Sequence, residues 1–167
     1  LSKKDVAAFI SEPIICNLTV EIPDRIFFDD VQAACKKYGT LFIADEVATG
    51  FGRTGKMLAS EYFNLKPDIM CLAKGITGGH LPMGATIMTK EVAKSFEFDF
   101  SFYSTFGWHP LSVTAAIANI KYFIKNNDGA FLGTCDLASL NVLSRVSLLR
   151  VVVSSLCLIS QLIFRLP

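Results

Sequence analysis

The side chains with a chemistry to offer in this 167-residue chain gather in one stretch, residues 41 to 74. Asp45 closes the apolar run Leu41-Phe42-Ile43-Ala44. A glycine-rich segment, Gly50-Phe51-Gly52-Arg53-Thr54-Gly55-Lys56, comes next, and Lys74 lies 29 residues after Asp45 with Gly75, Gly78 and Gly79 behind it. Such a short apolar run reads as a strand buried on both faces of a parallel sheet, and these sheets place ligands outside the carboxyl ends of their strands, where Asp45 would sit. A lysine following a strand among glycines has small neighbours, so a flat cofactor can come close to its amine.

The glycines admit three readings. Gly50-x-Gly52-x-x-Gly55 fits a dinucleotide fingerprint, and Gly50-x-x-x-x-Gly55-Lys56 fits most of a phosphate-binding P-loop. Both fits weaken on inspection. Met57 stands where a P-loop needs a Ser or Thr hydroxyl, residues 45 to 49 separate the strand from the first glycine, and the next isolated acid, Asp68, comes too early. The third reading takes the whole series: Asp45-Glu46-Val47-Ala48-Thr49-Gly50-Phe51-Gly52-Arg53-Thr54-Gly55, then Pro67-Asp68-Ile69, then Ala73-Lys74-Gly75-Ile76-Thr77-Gly78-Gly79. In that order and at that spacing it resembles the class III aminotransferases, enzymes that use pyridoxal phosphate.

The resemblance implies roles for particular residues. Asp45 would hold the protonated ring nitrogen of the cofactor. Lys74 would carry the cofactor as a Schiff base and, once displaced, move a proton between two carbons. Val47 is either ordinary core or a contact to the cofactor ring. Glu12, in Ser11-Glu12-Pro13, is either a solvated loop acid or part of the active-site region. Thr105, in Ser104-Thr105-Phe106-Gly107, would touch the cofactor phosphate of a neighbouring subunit, which implies a homodimer in the full-length parent. The implied reaction moves an amino group from an amino acid or amine to a 2-oxo acid in a ping-pong cycle, with an aminomutase as a near alternative. Arg53 reads as a brace for the turn. His80 and His109 lack flanking ligands and read as loop and helix-start residues rather than a metal site. Two departures stand out: Trp108 replaces a small residue, and Ala48 replaces a common Gln, as in the branch of diaminopelargonic acid and ω-amino acid aminotransferases.

The elements that must position these groups follow from pattern. Val6 to Ile10 reads as a strand delivering Glu12 to the sheet edge. Phe27, Phe28, Val31, Ala34 and Cys35 recur at helical spacing, with Asp29 and Asp30 expected in the first turn, Lys36 and Lys37 near the end and Gly39 closing. A helix there makes strands 6–10 and 41–44 parallel neighbours. Residues 57–63 read as a short helix, 69–72 and 84–88 as strands, 90–96 as a short helix, and 111–125 as a helix begun by Pro110. The fold class is α/β: the large domain of a fold-type I pyridoxal-phosphate transferase, in part, with a mainly parallel sheet and flanking helices.

Size and composition bound the rest. The length suits one domain, while members of the resembled family are more than twice as long, so a fragment is expected, and a first residue of Leu1 agrees. Missing from it would be the phosphate-binding Gly/Ser turn, the stacking aromatic and the C-terminal small domain, which puts a truncated, non-catalytic product beside the nucleotide-binding reading of 50–56 as the alternatives from other classes. A net charge of +1 points to neither nucleic acid nor an anionic membrane surface. Five cysteines without CxxC spacing read as free thiols in a reducing compartment, and the opening residues do not form a signal peptide, so a cytoplasmic location is expected. The resemblance covers about residues 5 to 126, giving a partial cofactor-binding domain over 1–126. From Gly129 onward lysine disappears and Val151 to Phe164 is an uncharged run of 14 residues, short of the roughly 20 that span a bilayer. Residues 127–167 are read as an atypical, non-native tail in preference to a membrane or partner-binding helix.

Overall fold

The computed structural model describes residues 5–16, 20–95 and 104–126. The apolar tail and the proposed boundary at 127 therefore lie outside the described residues, as does the end of the helix expected over 90–96. Strand β1 (Ala8–Ser11) leads to helix α1 (Arg25–Tyr38), then β2 (Leu41–Asp45), β3 (Ile69–Leu72), β4 (Ala85–Met88), α2 (Lys90–Lys94) and α3 (Pro110–Lys125). The sheet runs in the order β1-β2-β3-β4. β1, β2 and β3 are parallel, and β4 pairs antiparallel with β3.

Local chemistry sets the ends of α1. Asp24 caps it by accepting from the Ile26 N–H at 3.0 Å, and Gly39, at φ 69°, turns the chain out of it. The cap places the start at Arg25, earlier than the apolar period suggests, so Asp29 and Asp30 lie beyond the first turn and the N-terminal charge comes from Asp24 instead. The segment 57–63 is not an α-helix. Only Ala59–Glu61 form a single 3₁₀ turn, because Met57 and Leu58 pack with β3, β4 and α3 while Phe63 and Leu65 pack with α1 and Phe42. A segment that feeds two clusters cannot keep its apolar residues on one helical stripe.

Side-chain alternation and register put Phe9, Phe42, Ala44, Met70, Leu72, Ala85 and Ile87 on one face of the sheet. Both long helices cover that face: α1 through Phe28 and Cys35, α3 through Ala116. The opposite face carries Ile10, Ile43, Ile69 and Met88, each only partly buried. Three parallel strands thus end at one edge, and the chain leaves each of them through a residue singled out in the sequence.

Candidate functional site

Glu12 follows β1 directly, and the pairing of Ser11 with Ala44 brings it beside Asp45. Its carboxylate accepts from the Cys16 N–H at 2.6 Å, which folds residues 12–16 into a turn over the edge. Asp45 ends β2, paired with Cys71 of β3. Its Oδ1 accepts from the Val47 N–H at 3.0 Å, so the aspartate and the half-buried valine form one turn.

Lys74 comes two residues after β3. Extended backbone at Ala73 (φ −163°) gives way at Lys74 to φ 44°, a left-handed conformation, and residues 74–77 form a 3₁₀ turn. Gly78, at φ 66°, closes it with its N–H on the Gly75 carbonyl. The lysine side chain is exposed at the same edge.

Burial pushes the Asp45 carboxyl above its ordinary range, against the Val47 N–H, which lowers it; Glu12 adds to the rise and the Lys74 ammonium opposes it. Cys16 feels the same cluster. Burial raises its thiol first, then Glu12, while Lys74 and Arg53 pull it down. Glu12 and Lys74 therefore both act on Asp45 at this edge. Thr105 lies elsewhere, on an exposed turn closed by the Gly107 N–H on the Ser104 carbonyl. Arg53 is exposed in the glycine turn, and His109 stands at the start of α3. Among the described residues no three His, Cys, Asp or Glu side chains come together as metal ligands.

The glycine turn serves packing rather than phosphate. The Phe51 N–H donates to Met57 and the Gly52 N–H to Lys56, so the segment closes on itself and runs on into buried Met57 and Leu58, not into a helix whose N-terminus could hold an anion. Lys56 lies over the Tyr62 ring at 4.8 Å. A Cβ on Gly52 would meet Phe123 of α3 at 2.7 Å, and one on Gly75 would meet Phe51 at 3.0 Å, so glycine turn, lysine turn and α3 are in contact. Asp68, the acid that comes too early for a dinucleotide motif, accepts from the Phe42 N–H at 2.8 Å and so joins β2 to the start of β3.

Two residues escaped the sequence reading. Glu46 is fully buried, and its carboxylate takes the Thr49 hydroxyl and the N–H groups of Ala59 (3.1 Å) and Ser60 (2.6 Å). The Glu-x-x-Thr spacing, an acid three residues ahead of a hydroxyl, was its available signal. The other is Asn119 on α3, whose side chain donates to the lysine turn.

The donor set suits pyridoxal phosphate. An exposed lysine stands at the edge, and at the same edge is a half-buried carboxyl whose pKa desolvation raises, an effect that a cationic ring nitrogen would oppose.

The model of the class-III aminotransferase family matches residues 1–131. Among solved structures, the thermostable (S)-enantioselective omega-transaminase of Thermomicrobium roseum is 36% identical over 71% of this chain and 27% of its own, with a TM-score of 0.68. Ornithine delta-aminotransferase of Plasmodium falciparum is 38% identical over 71% of this chain and 31% of its own (TM-score 0.66). An S-selective transaminase from an Arthrobacter species is 33% identical over 73% and 26% (TM-score 0.69). The chain thus spans between a quarter and a third of the length of these relatives, and the sheet with its flanking helices is part of the fold-type I transaminase domain. By motif order, family match and backbone similarity, the chain belongs to the class-III aminotransferases.

Proposed function

We propose that the protein transfers an amino group from an amino acid or amine to a 2-oxo acid, using pyridoxal phosphate bound through Lys74. One observation carries the reading: three parallel strands deliver Glu12, Asp45 and the Lys74 turn to a single edge, where the Lys74 ammonium acts on the Asp45 carboxyl. When bound, the cofactor supplies an electron sink for the bond-breaking step. The chain supplies the rest. Asp45 would accept a hydrogen bond from the ring nitrogen, and the cation there would offset the desolvation of its carboxylate. Lys74 would hold the cofactor covalently and, once released, would carry the proton between two carbons. Val47, fixed by its N–H on Asp45, would lie against the ring, and Glu12 would border the substrate side. Thr105, on its exposed turn, would meet the phosphate of a cofactor in a partner subunit, which would make the working protein a homodimer. The transaminases similar to this chain support this substrate class, and the three cysteines among the described residues, Cys16, Cys35 and Cys71, none of them in a disulfide, support a reducing, cytoplasmic setting.

The test is an absorbance spectrum of the chain equilibrated with pyridoxal phosphate, then borohydride reduction and peptide mapping, with Lys74→Ala and Asp45→Asn alongside. The expected result is a red-shifted band, reducible and fixed on Lys74, that Lys74→Ala lacks and that Asp45→Asn shifts in wavelength. A label scattered over surface lysines in the unmutated chain would sink the proposal for this chain.

A further inference from the structure

We infer that Asn119 is a positioning residue that holds the Lys74 turn in its working shape; this rests on reading Lys74 as the cofactor-bearing amine. Its Nδ2 lies 2.8 Å from the carbonyl oxygen of Gly75 and 3.2 Å from that of Ile76. An atom facing two acceptors at those distances must be the amide nitrogen, since an oxygen there would repel both. Both of its hydrogens are used. The Gly75 carbonyl also receives the Gly78 N–H, so one oxygen ties the turn's own closure to a side chain 44 residues away. The amide is fitted tightly as well: a Cβ on Gly78 would stand 3.1 Å from Asn119 Oδ1.

This matters because the turn is not at rest. Lys74 adopts φ 44°, a conformation side chains rarely take, and 3₁₀ hydrogen bonds alone hold it weakly. Helix α3 is the rigid partner. Ser112 and Ala116 bury it against the lysine-turn side of the sheet, and Phe123 locks against Gly52. Asn119 transmits that rigidity to the carbonyls just after Lys74, so the side chain leaves a backbone held in one conformation. Without the two bonds the lysine can relax toward negative φ and the amine turns away from the edge.

Asn119→Leu keeps the size and removes the donor, Asn119→Asp keeps the shape with an acceptor in its place, and Asn119→Gln keeps the donor. Each is incubated with pyridoxal phosphate and reduced with borohydride, and label is counted at Lys74 against Lys56. About ten-fold less label at Lys74 relative to Lys56 is expected for the Leu and Asp variants, with substantial recovery in the Gln variant and unchanged far-ultraviolet circular dichroism. If Asn119→Leu does not fold, Asn119→Asp carries the same expectation. Unmutated labelling ratios in a folded Leu or Asp variant would overturn the inference. If the unmutated chain shows no preference for Lys74, the functional reading fails, and hydrogen exchange at the Gly78 and Gly79 amides then decides on the turn. Exchange about ten-fold faster in the variants upholds the positioning role; equal rates overturn it.

Discussion

The two sides of the sheet meet at the end of β2, where neighbouring carboxylates have opposite surroundings. Alternation sends Asp45 to the face it shares with Ile43, the partly open one, and Glu46 to the face packed by α1 and α3. Asp45 keeps one backbone donor and a carboxyl that burial holds above its ordinary range. Glu46, fully buried, takes two backbone donors and a hydroxyl. One acid is left with capacity for a ligand, and the other is consumed by the fold. A charged pair at a strand end thus divides its work by which face each member points to, and the same ladder that exposes one acid buries the other.

The contrast can be broken most severely at Glu46. Glu46→Leu would leave the Thr49 hydroxyl and the Ala59 and Ser60 N–H groups facing apolar atoms, and a loss of about 4 kcal/mol in denaturant unfolding is expected. Next comes Gly52→Ala, which forces a methyl against the Phe123 ring at a backbone of φ 81°. About 2 to 3 kcal/mol should disappear from the thermal or denaturant midpoint. Thr49→Val removes a single donor from Glu46 and should cost about 1 kcal/mol by the same measurement. Asp45→Asn is the mildest for stability at neutral pH, within about 1 kcal/mol of the unmutated chain, although it removes the proposed partner of the cofactor. Its mark is in the pH profile. An acid whose folded pKa is raised binds more protons folded than unfolded between the two values, so the unmutated chain loses stability as pH rises from about 3.8 through the raised value. Asp45→Asn should flatten that part of the curve. A profile unchanged by the substitution would mean that Asp45 is no more desolvated than an ordinary surface acid.

Legibility followed the reach of each signal. β2 and β3 were readable because apolar runs of four end in residues of abrupt polarity, Asp45 and the glycine-flanked Lys74. The motif order carried the lysine and its acid, since spacing along a chain survives without knowledge of contacts. Residues 57–63 misled because their apolar side chains serve two separate clusters, and a one-dimensional pattern cannot say that Leu58 and Phe63 face different partners. Glu46 was hidden behind Asp45: beside a solvent-edge acid, a second acid reads as more of the same, and only the third dimension supplies its three donors. Asn119 was harder still. Its partners are backbone carbonyls 43 and 44 residues away, which leave no trace in residue types.

The left-handed backbone at Lys74 sets folding and the proposed chemistry against each other at one residue. Glycine holds that conformation with less strain than any side chain, by about 1 kcal/mol. Lys74→Gly should therefore melt higher than Lys74→Ala, though both lack the amine. At this position a selection for thermal resistance alone would discard the lysine, and a more robust protein would be recovered at the expense of its proposed chemistry.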